Sequence, residues 1–307
     1  MTTATVATRR DWPALLDAAS APYRRAGRFA WRFARGKLGM DPVFRYLLRT
    51  GLIAPNARVL DIGCGQGLLA SLLRECAALH ARGHWPHGWA TAPAGARVTG
   101  IEMMPRDVQR ARDALGVDVA EFICGDMRST PFPEVDTVVI LDVLHYITVP
   151  EQDEVLARVR RALPAGGRLL LRIGDAASRR GFRTSQWVDA VVTFVRGHRV
   201  APQYGRTLAQ WMARLESLGF DVQSEPMSQG TPFANVLLVA RVRQPTRAER
   251  RAAVGHEGAP RGPWPAPASR ETRLALRPSN PAQAGLEPRP TFPAGDRSMS
   301  PSTEGYQ

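Results

Sequence analysis

The sequence predicts a doubly wound α/β domain, with a seven-stranded sheet that is mostly parallel but has an antiparallel edge strand, preceded by N-terminal helices. Two observations carry this expectation. From Ala57 onward, short β-branched or leucine-rich runs alternate with helical stretches, the pattern of a parallel sheet covered on both faces. The last two runs are separated only by a short stretch around Gly230 and Pro232, too short for a crossover helix, so they should pair antiparallel at the sheet edge. The expected strands are Arg58 to Ile62, Arg97 to Ile101, Val119 to Ile123, Thr137 to Leu141, Arg168 to Ile173, Asp221 to Ser224 and Asn235 to Val242.

The chain has 307 residues, of which 44% are hydrophobic, enough to bury a full core. No apolar run approaches the roughly 20 residues needed to span a bilayer, and the first thirty residues lack the apolar centre of a secretory signal, so a cytoplasmic protein is expected. Cys64, Cys76 and Cys124 form no CxxC pair and read as reduced thiols. The net charge is +13, but Lys37 is the only lysine beside 40 arginines, a bias that codon usage in a GC-rich genome explains better than recognition does. The charge is concentrated at one end: the first fifty residues hold ten basic and three acidic side chains. An acidic partner should therefore meet the N-terminal segment.

Four regions follow. Residues 1–10 lack apolar periodicity and are expected to fray. Residues 11–52 form a basic helical segment, a lid or a docking element. Its first helix starts near Asp11 with Pro13 in the first turn, a second runs from Pro22 to Arg35, and a third runs from Asp41-Pro42 to Gly51. On a helical wheel Arg24, Arg25, Arg28, Arg32 and Arg35 share one arc, opposite Tyr23, Ala26, Phe29, Ala30 and Phe33. Residues 53–244 form the α/β domain, with an insertion at about 77–96. Residues 245–307 hold eleven of the 25 prolines and are expected to be a disordered Pro/Arg-rich tail.

The chemistry is concentrated in Val59-Leu-Asp-Ile-Gly-Cys-Gly-Gln-Gly-Leu68, an apolar strand running through a glycine turn into an apolar helix. Glycines allow a tight turn and let a ligand approach the main chain without Cβ interference. A nicotinamide fingerprint would read GxGxxG; here the third glycine comes one residue early, and Asp61 precedes the first by two. The next strand, Val98-Thr-Gly-Ile-Glu102, ends in a carboxylate suited to two vicinal ribose hydroxyls, at about 1.5–3 kcal/mol per charge-assisted bond. Glu102 lies 41 positions after Asp61 rather than the usual ~20, which marks the insertion. Then come Ile123-Cys-Gly-Asp-Met127, Asp136-Thr-Val-Val-Ile-Leu-Asp-Val-Leu-His-Tyr146, and Leu163-Pro-Ala-Gly-Gly167 followed by Arg168-Leu-Leu-Leu-Arg-Ile173.

These five elements, in this order, resemble the class I S-adenosylmethionine-dependent methyltransferases and their Rossmann-like fold. The resemblance implies S-adenosyl-L-methionine as cofactor. Asp61 would lie near its amino acid end, above the turn of Gly63, Cys64, Gly65 and Gly67. Glu102 and Met103 would take the ribose side, Asp126 and Met127 the adenine, and Leu141 would complete the site. Methyl transfer from a sulfonium needs alignment of the acceptor and exclusion of water more than a nucleophilic residue or a metal. His145 is the candidate general base for a hydroxyl acceptor, and Tyr146 and Arg172 are the candidate acceptor contacts. Cys76, His80, His84 and His87 in the insertion raise a zinc site, but they lack a tight ligand pair and Pro86 breaks the register; no metal is expected, and a mobile surface loop is.

The expected acceptor is a small or acyl-carrier-bound organic molecule, methylated at oxygen in secondary metabolism. The segment from Arg24 through Gly27-Arg-Phe-Ala-Trp-Arg-Phe-Ala-Arg-Gly-Lys-Leu38, with Asp41-Pro-Val-Phe44, is also similar to methyltransferases of bacterial aryl-polyene pathways, which would suit a carrier-docking arginine face. An anionic lipid surface is the other partner for that face. Alternatives are a nucleic-acid or protein methyltransferase, disfavoured because Leu141-Asp-Val-Leu stands where Asn/Asp-Pro-Pro-Tyr/Phe flags amino-group targets, and a non-catalytic regulatory protein that binds the cofactor.

Overall fold

A computed structural model of the chain describes residues 8–174, 204–229 and 235–244. Seven strands form one sheet: β1 Arg58–Ile62, β2 Arg97–Glu102, β3 Ala120–Cys124, β4 Thr137–Leu141, β5 Arg168–Gly174, β6 Phe220–Pro226 and β7 Asn235–Val242. Their order is β3-β2-β1-β4-β5-β7-β6. The first five strands run parallel, while β7 is antiparallel to both β5 and β6. The antiparallel strand is therefore one position in from the edge, which β6 occupies. A strand that turns straight back must pair with its predecessor, and β7 gains a second ladder by also pairing with β5.

The helices are α1 Thr8–Ser20, α2 Arg28–Met40, α3 Pro42–Thr50, α4 Leu68–Ala81, α5 Pro105–Leu115, α6 Val149–Ala162 and α7 Leu208–Ser217. Strand side chains alternate between two layers, as a period of two dictates. Val59, Val98, Phe122, Val139 and Leu170 pack toward α1–α5, whereas Leu60, Ile101, Val138, Ile140, Leu169 and Leu171 pack toward α6 and α7. The N-terminal helices belong to the first layer: Leu16, Tyr23, Ala34, Leu38 and Leu47 are buried in the same cluster as Leu69 and Leu72 of α4.

Several expectations change. The first helix begins at Thr8 rather than near Asp11, and Pro13 lies inside it. The second is broken: a 3-10 turn, Ala21–Arg24, ends before Gly27, whose φ of +106° suits glycine, and α2 starts only at Arg28. Arg24 and Arg25 therefore lie outside the helix, and Phe29 is 47% exposed while Ala30, Ala34 and Leu38 form the buried stripe. The third helix is as expected, capped by Asp41 accepting from Val43 N and ended by left-handed Gly51.

The insertion is tied down rather than loose. Helix α4 runs to Ala81, and beyond it Trp89 meets Trp12 of α1 at 6.1 Å and Trp85 at 5.6 Å between ring centroids. Ala90 N donates to Arg49 O, Asn56 N to Ala94 O, and Trp85 Nε1 to Ala90 O. Two indole rings bury enough apolar area to anchor the segment, which no helical or strand periodicity announced. The tail from 245 and the segment 1–7 lie outside the described residues.

Candidate active site

The site assembles at the carboxyl ends of the parallel strands, around the point between β1 and β4 where the strand order reverses. Gly63 N and Cys64 N both donate to Ile101 O, at 2.8 and 3.2 Å, which folds the glycine turn onto β2. Gly63, Gly65 and Gly67 all have positive φ, but for different reasons. A Cβ at Gly63 would strike Val143 at 2.5 Å, and one at Gly67 the Phe122 ring at 2.6 Å. At Gly65 it would meet nothing within 4 Å. The first and third glycines therefore serve packing, while Gly65 opens a cradle beside the amino end of α4, where backbone N–H groups and the helix dipole favour polar ligand atoms.

Two carboxyl groups lie at the strand ends that flank this turn. Glu102 accepts from Gly65 N at 3.0 Å and from Met104 N at 2.9 Å, so the tip of β2 is fastened to the turn. Asp61 is 5% exposed, and burial, reinforced by the charge of Glu102, pushes its carboxyl up to about 7. Cys64, buried with its Sγ near Gly65 O, has its thiol pushed up by burial and then by Asp61; it is a packing residue of the turn against Gly100. Met103 is exposed beside Glu102.

After β3, Asp126 accepts from Arg128 N at 2.8 Å and pairs with its guanidinium at 2.6 Å. Hydrogen bonding to Arg128 holds that carboxyl below the usual carboxylate range. Arg128 continues to Glu151 of α6 at 2.9 Å, and Arg158 Nη1 donates to the carbonyls of Met127 and Arg128 at 2.7 and 2.8 Å. Asp126 and Met127 thus sit on a loop braced from the helix after β4.

At the end of β4, half-buried Leu141 pairs in register with Arg172 of β5. Asp142 follows with φ +59°, a left-handed conformation that a non-glycine residue adopts at some cost. Arg172, expected to touch the acceptor, is only 2% exposed. Its Nε donates to Asp142 Oδ1 at 2.8 Å, its Nη2 to the other Asp142 oxygen, and its Nη1 to Asp41. A buried guanidinium is stable only with its donors matched, and these two carboxylates take all three of its nitrogens. Lys37 closes the cluster, 2.8 Å from Asp41 and 3.8 Å from Asp142.

His145 and Tyr146 lie in the 3-10 turn that follows, with ring centroids 4.2 Å apart. Burial lowers the His145 pKa, against the pull of Asp142, so the imidazole is neutral near pH 7. Buried Gln152 of α6 holds the turn by donating to Leu144 O and Ile147 O, each at 3.1 Å, and to Tyr204 O at 3.0 Å. The geometry therefore gathers Asp61, the glycine turn, Glu102, Asp126, Met127, Leu141, His145 and Tyr146 at one sheet edge and withdraws Arg172 into its wall. Among the described residues no cluster of three or more His, Cys, Asp or Glu side chains could hold a metal.

Sequence reasoning missed Gln66, Lys37, Asp41, Arg128 and Gln152. Gln66 is buried, with Nε2 donating to Ala30 O of α2 at 2.9 Å, which ties the glycine turn to the N-terminal helices. Its place between two glycines of the turn was the only signal. Asp41 meets Arg172 across 131 residues, Arg128 reaches Glu151 across 23, and Gln152 holds backbone carbonyls, which no local spacing encodes, whereas Lys37–Asp41 and Arg128–Asp126 are local pairs.

Comparison with known proteins agrees with this geometry. Residues 60–171 match the model of a methyltransferase domain family. The chain is 34% identical over 146 residues to trans-aconitate 2-methyltransferase of Mycobacterium sp. (strain KMS), covering 46% of this chain and 48% of that one. It is 22% identical over 170 residues to malonyl-[acyl-carrier protein] O-methyltransferase of Anoxybacillus flavithermus, covering 55% and 58%. The chain thus spans about half the length of the curated relatives it matches. An O-methyltransferase family protein from Burkholderia thailandensis shares the fold, with a TM-score of 0.51 at 18% identity over 73% of this chain and 63% of that one. Sheet order, glycine turn, strand-tip carboxylates and family match together identify residues 60–171 as the core of a class I S-adenosylmethionine-dependent methyltransferase domain.

Proposed function

We propose that the protein transfers a methyl group from S-adenosyl-L-methionine to an oxygen of a small or carrier-bound organic acid. The observation that carries this reading is the cradle at Gly65, open where a Cβ would otherwise project and overlooked by Asp61 and Glu102. The fit is chemical as well as steric. A carboxyl group whose ionisation burial disfavours gains from a cationic neighbour, and the cofactor brings an ammonium and a sulfonium. When bound, the cofactor supplies an activated methyl group whose leaving group is a neutral thioether.

The chain's own residues then have modest tasks. Glu102, held by two backbone donors, accepts hydroxyl protons of the ribose, and Asp126 and Met127 take the adenine side. Asp142 and Arg172 fix the turn that presents His145 and Tyr146 to the acceptor. Neutral His145 accepts a proton if the acceptor is a hydroxyl; a carboxylate acceptor is already ionised and needs none. The choice of an acid as acceptor is supported by the names of two relatives, a trans-aconitate and a malonyl-carrier methyltransferase. A role in secondary metabolism, the aryl-polyene type included, belongs to the same proposal.

The test is methyl transfer from radiolabelled cofactor to free di- and tricarboxylic acids, hydroxy-aromatic acids, acyl-loaded carrier protein and RNA. Label in an organic acid, free or carrier-bound, is expected. Label only in RNA would replace this reading, and a His145→Phe variant with full turnover on a hydroxyl acceptor would remove the histidine as base.

A further inference from the structure

The N-terminal segment exposes a group of arginines without a carboxylate partner among the described residues, Arg24 lying over the Trp31 ring at 5.0 Å. Arg24, Arg25, Arg28 and Arg32 are exposed, and among the described residues none of them forms an ion pair. Arg35 of the same helix does, with Asp17 at 2.8 Å, so arginines here pair where a carboxylate is in reach. Arg28 and Arg32 stand four apart on α2, a spacing at which like charges destabilise a helix. The cluster is therefore not a stability device. On the adjoining face of α2 the exposed Phe29 ring stacks on Phe33 at 6.2 Å with 12° between planes, and Arg110 of α5 lies 4.9 Å above Phe29. An exposed aromatic under one guanidinium, on the same short segment as four exposed arginines, has the composition of an interface.

The helix also places this surface next to the chemistry. Ala30 O holds Gln66 of the glycine turn, and Lys37 reaches Asp142 at the acceptor end. From Arg28 to Lys37 is nine residues, a rise of about 14 Å along one helix. A partner on the arginine face would lie a short arm's length from the end of β4.

We propose that Arg24, Arg25, Arg28 and Arg32, with Phe29 beside them, form the docking surface for an acidic carrier protein that presents the acceptor on a flexible arm. This rests on the methyltransferase reading and deepens it by naming how the acceptor arrives. The footprint favours a protein over a nucleic acid: it is a short patch over one turn and the first turns of α2, with an exposed apolar ring beside it, not a basic track that follows a phosphate backbone. Paired charges at the rim of such a contact set its association rate and salt dependence.

Fluorescence anisotropy of a labelled acidic holo acyl carrier protein tests this, with the full-length chain, an Arg28→Glu/Arg32→Glu variant, and two competitors: a single-stranded RNA and vesicles of anionic phospholipid. Saturable binding that weakens with salt, and falls about tenfold or more in the variant, is expected. Absence of binding, equal binding by the variant, or displacement of the carrier by RNA or vesicles at lower concentration overturns the proposal. Calorimetry with S-adenosylhomocysteine on the same samples separates the two readings, since the variant should keep cofactor affinity and a parent without it fails as a methyltransferase independently of docking.

Discussion

Arg172 on β5 grips both carboxylate oxygens of Asp142, the left-handed residue that ends β4, while its third nitrogen reaches Asp41 at the cap of α3. One buried side chain thereby joins the N-terminal helices, the sheet and the turn that carries His145 and Tyr146. Burial alone would raise the carboxyls of Asp41 and Asp142, yet the charges of Arg172 and Lys37 hold both below the usual carboxylate range. Removing the guanidinium leaves two part-buried carboxylates to share Lys37, so Arg172→Met should lower stability by about 3 kcal/mol in urea unfolding.

The same shifts fix a pH dependence. Both carboxyls have folded pKa values below their unfolded values near 4, so the stabilisation is fully present above about pH 4 and is lost as pH falls further. Asp41→Asn, which keeps a capping side chain for α3, should flatten the acid limb of a stability–pH curve. An unchanged limb would show that the cluster is not coupled to folding.

The two kinds of glycine in the turn separate folding from binding. Gly65→Ala carries only the left-handed backbone penalty, about 1 kcal/mol, but intrudes on the cradle. Cofactor affinity should drop markedly while the melting temperature moves by a few degrees. Gly67→Ala adds a collision with the Phe122 ring at 2.6 Å and should cost stability first. Equal effects of the two substitutions on S-adenosylhomocysteine binding would refute the distinction.

Asp61 works in the opposite sense from Asp142. Its folded pKa, pushed up to about 7 by burial and then by Glu102, lies above the unfolded value near 4. Stability of the ligand-free protein therefore declines as pH rises from about 4 through 7, because the folded state retains a proton that the unfolded chain sheds. An ammonium group set beside Asp61 favours the ionised form, so S-adenosylhomocysteine, which keeps that ammonium, should bind more tightly as pH rises toward 7 and release a proton when bound near pH 6. Calorimetry in buffers of different ionisation enthalpy measures that proton, and Asp61→Asn should abolish it.

Strand periodicity, the glycine turn and the carboxylates at strand tips were legible because each is a local pattern: an apolar run, a positive-φ turn, an acid where the run ends. Asp41 and Gly51 bracketed α3 correctly for the same reason. The errors lie where contacts between distant segments decided the outcome. Arg172 reads as an alternating strand residue aimed at the site, and nothing nearby reveals that Asp41, 131 residues earlier, occupies its guanidinium. Trp85 and Trp89 sit in a stretch of loop composition, yet packing against Trp12 fixes it. Phe29 fell on the apolar arc of a wheel begun too early; with α2 starting at Arg28 the buried stripe passes through Ala30, Ala34 and Leu38 instead.

The most direct measurement is isothermal titration of S-adenosylhomocysteine into the parent protein and into Glu102→Ala. Loss of a charged partner of the ribose hydroxyls, together with the anchor of Gly65 N, should weaken binding by about 1.5–3 kcal/mol, roughly ten- to a hundredfold. Parent protein that binds no S-adenosylhomocysteine, or a variant that binds as tightly as the parent, would contradict the assignment of this strand-tip site to the adenosyl cofactor.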